Sequence, residues 1–269
     1  MFKIGWPKFD KFFYELKTPQ RSEKRARRQL QSKHEYYFLH IGKTGGTYAS
    51  TLIRRLARRA DLDMQFGGHR LRAINVLKSN PEAKLIFGIR RPAEIYVSGF
   101  YSRQRKGAPT HHSEWTPAEA RAFARFATAN ELAESLSSHD ADLKAAAFDA
   151  MSSIQHVNKC LSFYLGSADF LESHKENISF ILDQEHLDSD LKQFYGSFGL
   201  KLPKAARHMN TKRHANPNEV DRTLSPSALA NLEKYYASDV EVYAKCREIR
   251  DRIVADLPAS EAAASERRR

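Results

Sequence analysis

Cysteine is scarce in this chain. Only Cys160 and Cys246 occur among 269 residues. Two widely separated thiols cannot build a disulfide scaffold or a four-cysteine zinc framework, and a reduced compartment is the default reading. No apolar run reaches the roughly 18 residues that a membrane-spanning helix needs. The N-terminus has no apolar stretch followed by a small-residue cleavage site, so a secretory signal is not expected and the cytoplasm is the expected location. Acids are also in deficit: 32 Asp+Glu face 44 Lys+Arg, a formal net charge of +12. Such a surface favours anionic partners, although charge alone does not choose among phosphorylated cofactors, acidic glycans, nucleic acid and lipid. Nothing forms an RNP-like or zinc-finger pattern, so no specific nucleic acid is expected.

What is present is globular. Hydrophobic residues make up 41% and charged residues 28%, enough to bury a core. Residues 1–34 stand apart, with ten Lys/Arg against three acids. Phe2, Trp6, Phe9, Phe13 and Leu16 recur at helical steps among Lys3, Lys8, Lys11 and Lys17. That pattern suits a basic aromatic arm that packs on its own domain or touches a membrane surface. Residues 35–257 read as one α/β domain, and the Ala/Ser/Glu/Arg-rich stretch 258–269 reads as a disordered tail.

Three short apolar runs predict strands: Tyr36–His40, Lys84–Ile89 and Ile178–Asp183. Helical periodicity follows the first at 48–59, and helices are expected at 70–79, 92–103, 187–198 and 226–254. Pro92 suits a first helical turn. Thr116 and Glu119 form a capping box that opens a largely helical region reaching about residue 165. Alternating strands and helices imply a central, mainly parallel sheet flanked by helices.

The most informative segment is His40-Ile41-Gly42-Lys43-Thr44-Gly45-Gly46-Thr47. A loop that feeds a helix N-terminus offers free backbone N–H groups and a positive dipole end. Gly45 and Gly46 let backbone approach an anion. Lys43 adds a charge, and Thr44 and Thr47 add hydroxyls. A Walker A loop is excluded by spacing, because its first glycine would fall on Tyr37. A second cationic position follows the second strand as Arg90-Arg91-Pro92, with Ser98 on the next helix.

These two segments resemble the sulfotransferases that use 3′-phosphoadenosine 5′-phosphosulfate (PAPS). The nearest type is the carbohydrate, membrane-associated class and its bacterial relatives. Their phosphosulfate loop commonly reads Pro-Lys-Thr-Gly-[Gly/Ser/Thr]-Thr, and here Gly42 stands at the proline position. Their second element is Arg-Asp-Pro followed by a serine. Here Arg91 stands at the aspartate position, and Ile95 at that of a frequent arginine. The resemblance extends more loosely from Tyr36 to Cys246. It implies a P-loop-like three-layer fold. It also implies that Lys43, Thr44, Gly45, Gly46 and Thr47 hold the 5′-phosphosulfate while Arg90 and Ser98 hold the 3′-phosphate. Arg207 and Asn210 would lie near the nucleotide. The implied activity is sulfuryl transfer to a hydroxyl, or an amine, of a carbohydrate-type acceptor.

Such transfer needs in-line geometry, a base for the acceptor proton, and neutralisation of the departing phosphate. Lys43 is the candidate for the last task and His69, in Gly67-Gly68-His69-Arg70, for the base. His40 and Glu114 are rivals for that role. The polar loop 104–116, with Arg103, Arg105 and Lys106 in or beside it, either faces an acceptor that is acidic or already sulfated or is simply a solvated loop. His111-His112 lacks further ligands at metal spacing, and no metal is expected. The competing readings are a kinase with an atypical phosphate loop and a non-catalytic basic protein that binds nucleic acid or membrane.

Overall fold

The structure is a computed structural model that describes residues 30, 32–109, 112–203 and 221–257. The basic arm up to residue 29, His111, Arg207, Asn210 and the stretch 258–269 lie outside the described residues.

The chain begins β1 (Tyr36–Leu39), α1 (Gly46–Arg59), β2 (Met64–Phe66), α2 (Ala73–Ser79), β3 (Lys84–Ile89) and α3 (Pro92–Gln104). A helical excursion follows: α4 (Pro117–Arg125), α5 (Ala129–Ser135), α6 (Ala141–Ser153), α7 (Leu161–Leu165) and α8 (Ala168–Ser173). The chain then returns through β4 (Ile178–Asp183) and α9 (Leu187–Gly196), and closes with α10 (Pro226–Tyr235) and α11 (Ala237–Asp256). No helix among the described residues is long and apolar enough to cross a membrane.

The four strands pair in the order β2-β1-β3-β4, each pair parallel. Phe38 lies opposite Ile86, and Ile86 opposite Phe180. Side chains alternate across a strand, and the two faces divide accordingly. Tyr37, Leu39, Leu85, Phe87, Ile89 and Ile181 pack with α3, α7 and α11. Phe38, Ile86, Phe180 and Leu182 pack with α1 and α9. Leu52, Ile53 and Leu56 of α1 are fully buried there, and the Tyr195 hydroxyl of α9 donates to the Leu52 carbonyl at 2.7 Å. The architecture is therefore an α/β fold with a parallel sheet covered by helices on both faces.

Several expectations change. β2 is an additional strand of three residues. The helix after β1 starts at Gly46, so Gly46 and Thr47 belong to its first turn. The stretch expected as one helix over 226–254 is two, broken at Tyr236. Tyr236 is buried, and its hydroxyl donates to the Val157 carbonyl at 2.7 Å. That bond anchors the chain at the break to the segment between α6 and α7.

The strand order positions the site. β1 leads through α1 to β2 on one side, while β3 lies on the other side and leads onward to β4. Neighbouring strands whose connections depart in opposite directions leave a crevice at their carboxyl ends. Residues 40–47 and Arg90 sit at that edge.

Candidate functional site

The loop after β1 is strained where it carries charge. Lys43 adopts φ +66° and Gly45 φ +78°, a left-handed conformation that costs an ordinary side chain about 1–2 kcal/mol. Gly45 is the N-cap of α1. No side chain caps that helix, and no acid lies in its first turn. The first-turn N–H groups have no intrahelical acceptor, so α1 presents its positive end at the crevice with no acidic residue in its own first turn.

The loop glycines serve packing as well as access. A Cβ on Gly46 would lie 2.7 Å from Cδ2 of His40, and one on Gly45 would lie 2.8 Å from Cδ2 of Leu187. A Cβ on Gly42 would lie 2.9 Å from Nδ1 of His156. Protein side chains thus fill the space that these glycines leave. The Thr44 hydroxyl does not face a ligand as expected. It is buried beneath the loop, donates to the Ile41 carbonyl at 3.0 Å, and abuts Gly88 of β3. Its task is to hold the turn. Thr47 is exposed on α1.

Lys43 is partly buried, and burial, Arg105 and Arg90 in that order pull its ammonium down to about 8. Every one of these influences disfavours the charge, and a bound anion would offset them. Arg90 follows β3 and bridges two elements. Its Nη1 donates to the Lys43 carbonyl at 3.4 Å, and its Nε donates to Glu94 Oε2 at 2.8 Å. Ser98 lies one helical turn beyond Glu94 on α3 and is partly buried. Arg91, in contrast, is exposed and pairs with Glu185 at 2.8 Å.

The loop expected to face the acceptor divides three ways. Arg103 is buried and forms a two-pronged ion pair with buried Glu119, at 2.7 and 2.8 Å. It also donates to the carbonyls of Ser113 and Glu114, so it is a structural clamp and not an acceptor contact. Lys106 pairs with Glu114 at 2.6 Å and lies over the Trp115 ring. The charge of Arg105 acts on Lys43, its Nε donates to the Ala108 carbonyl at 3.4 Å, and its Nη1 is buried without a hydrogen-bond partner. Glu114 is exposed, and Lys106 and His112 hold its carboxyl below the ordinary value. That pairing makes it a weaker proton acceptor.

Three imidazoles converge beside the loop. The His40 and His69 rings are 4.3 Å apart, and the His69 and His156 rings 5.7 Å. His69 is exposed, and its contact with His40 carries it to the N-terminus of α1. Burial, then His69 and Arg54, push His40 down to about 4. Burial, then Lys43 and His69, push His156 to about 3. Among the described residues no group of His, Cys, Asp or Glu is arranged to hold a metal ion.

His156 was not anticipated. It follows α6 in a left-handed conformation, φ +70°. Its backbone presses on Gly99, where a Cβ would meet the His156 carbonyl at 3.1 Å. The neighbouring Gln155 N–H donates to Glu119 Oε1 at 3.1 Å. The Arg103–Glu119 pair therefore fixes the turn that carries His156 to Gly42. The only sequence signal was indirect: the glycines at 42 and 99 admit this turn.

The structure thus brings Lys43, Gly45, Gly46, Thr47, Arg90 and His69 to one edge of the sheet, with Ser98 on the adjoining helix. The entry to the loop is fixed from beneath by Tyr164 of α7, whose buried hydroxyl meets the Gly42 backbone. Compared with known proteins, the chain matches no family model, no curated protein and no solved structure.

Proposed function

We propose that this protein is a PAPS-dependent sulfotransferase on a P-loop-like fold, acting on a hydroxyl or amine of a carbohydrate-type acceptor. The observation that carries this reading is the coupling of two cationic positions on neighbouring strands. Lys43 stands at the uncapped N-terminus of α1, and Arg90 at the end of β3 reaches the Lys43 carbonyl. Two such positions at one crevice suit a ligand with two separate phosphate groups. A nucleoside triphosphate would ask instead for the longer glycine loop that the chain lacks.

In this reading the α1 N–H groups and Lys43 hold the 5′-phosphosulfate. Arg90, released in part from Glu94, holds the 3′-phosphate with Ser98. The acceptor oxygen bonds to sulfur as the bond from sulfur to the bridging phosphate oxygen breaks, and the bisphosphate departs. His69 takes the acceptor proton, and Lys43 balances charge on the departing phosphate. Arg207 and Asn210 are kept as nucleotide contacts on the strength of the resemblance alone. Any contact with a membrane surface falls to the arm 1–34.

Calorimetric titration with adenosine 3′,5′-bisphosphate and with 5′-AMP tests the reading. The bisphosphate is expected to bind at least tenfold tighter, a preference that Arg90→Ala abolishes. A charge-assisted contact of about 1.5–3 kcal/mol accounts for that ratio. Equal or absent binding would return the atypical kinase and the basic binding protein to the front.

A further inference from the structure

The transfer proposed above leaves His156 without a task, although it stands between two residues that have one. Its Nδ1 lies 2.9 Å from the position of a Cβ on Gly42, the residue before Lys43. Its ring centre lies 5.7 Å from that of His69. Among charged groups, Lys43 and then His69 act most strongly on its imidazole. A group that moves from Lys43 towards His69 moves along this ring. The ring is not sealed off: His156 is partly exposed and His69 is exposed.

The ring is also held there against a local preference. His156 is left-handed at φ +70°, a conformation that persists in ordinary residues only where the surroundings enforce it. Both neighbours enforce it. The Gln155 N–H donates to Glu119 Oε1 at 3.1 Å, and the Val157 carbonyl accepts from the Tyr236 hydroxyl at 2.7 Å. Against Gly99 the turn presents the carbonyl and Cβ of His156, not its ring. These contacts would hold a glycine or an asparagine as well, with less strain. The imidazole is therefore surplus to the turn. Burial and the charges of Lys43, His69, Arg103 and Lys159, in that order, keep it neutral at physiological pH. A neutral imidazole carries one N–H. Its Nδ1 edge faces Gly42, so Nε2 lies across the ring from the loop entry. An uncharged donor fixed in advance beside a moving negative group stabilises it without competing for its proton.

We propose that His156, set between Lys43 and His69, binds the group in transfer: its Nε2–H donates to a sulfuryl oxygen of the bound donor and keeps that bond while sulfur passes to the acceptor. This inference rests on the sulfotransferase reading. His69 still takes the acceptor proton, and Lys43 still balances the departing phosphate. His156 adds a contact that exists only while the sulfuryl group is present.

Calorimetric titration of the full chain with PAPS and with adenosine 3′,5′-bisphosphate, which differ only by that group, provides the test. His156→Gly suits the left-handed turn and removes the ring, whereas His156→Asn suits it and keeps a neutral N–H donor. The glycine variant should lose about five- to twentyfold in affinity for PAPS, the scale of a charge-assisted hydrogen bond. Its affinity for the bisphosphate should stay within about twofold of the parent. His156→Asn should recover part of the loss. If His156→Gly does not fold, His156→Ala takes its place. A purely structural role would move both affinities alike, so an unchanged ratio between the two ligands would overturn the inference and leave the sulfotransferase reading in place. Absence of binding of both ligands to the parent would remove that reading and this inference with it.

Discussion

The imidazole of His156 occupies the space into which any larger residue at position 42 would project: a Cβ on Gly42 would lie 2.9 Å from its Nδ1. This contact explains why glycine stands where the resembled loop carries proline. The loop entry and the turn after α6 are matched to one another. Gly42→Ala should therefore destabilise the protein by about 1–3 kcal/mol, the usual range for overpacking. It should also weaken bisphosphate binding, because the displaced residue adjoins Lys43. Adding His156→Ala should restore most of both. Urea unfolding of the two single variants and the double variant measures the coupling. Additive effects, within about 0.5 kcal/mol, would show that the two residues do not interact.

The buried pair of Arg103 and Glu119 gives a second prediction. Burial raises the Glu119 carboxyl, but Arg103 and the N–H groups of Thr116 and Gln155 outweigh it and hold the group below its ordinary value. Glu119→Gln leaves Arg103 buried without its counter-charge, which costs about 3–5 kcal/mol. For a domain of this size the melting temperature should fall by roughly 6–20 °C. A carboxyl lowered on folding adds stability that is full above its unfolded value and is lost as pH falls through the folded value. The parent should therefore lose this contribution in acid, and Glu119→Gln should lose less there. Calorimetric melting at neutral and acid pH checks both points, and an unchanged melting temperature at pH 7 would refute them.

The parts of this fold that local chemistry determines were legible in the sequence. β3 and β4 fall on their apolar runs, and the capping box of Thr116 and Glu119 forms as its residues dictate. The parts set by distant contacts were not. Met64–Phe66 is too short to show alternation, and it becomes a strand because β1 has a free edge to pair. Tyr236 breaks an apparently continuous helix while its hydroxyl reaches Val157. At the site, the resemblance named Lys43, Arg90 and His69, and folding brings them to one sheet edge. The polar segment 104–116 suggested an acceptor-facing or solvated loop with Arg103 at its edge, whereas that residue is buried against Glu119. His156 approaches from a turn more than a hundred residues further along the chain, and no local pattern announces it.

Which imidazole accepts the proton is the third prediction. His40 and His156, held near 4 and 3, are poor proton acceptors at neutral pH. His69 is the exposed member of the three. His69→Ala should lower turnover about 10²–10⁴-fold, the range of general-base catalysis, while bisphosphate affinity stays within about twofold. His40→Ala should instead weaken bisphosphate binding, since its ring packs against Gly46 at the start of α1. Single-turnover sulfuryl transfer, measured alongside bisphosphate titration, separates the two effects. Unaltered turnover in His69→Ala would remove it from the role.

The charge on Lys43 should report directly on the ligand. Burial, Arg105 and Arg90 hold its ammonium near 8 in the free protein, so about half of the molecules lack that proton at pH 8. A bound phosphate dianion supplies the missing counter-charge and raises the group towards its ordinary value of 10.5. At pH 8, where both phosphates of the ligand are already dianions, bisphosphate binding should then take up about half a proton. Because the folded value lies below the unfolded one, the unfolded chain binds more protons between pH 8 and 10.5, and stability rises across that window. Below about pH 8 the folded state carries the full cost of the charge. Lys43→Met should remove it, adding about 1–2 kcal/mol at pH 7 while abolishing bisphosphate binding. Titrations in buffers of different ionisation enthalpy give the proton uptake. Heats that do not depend on the buffer at pH 8 would show that the bound anion does not meet Lys43.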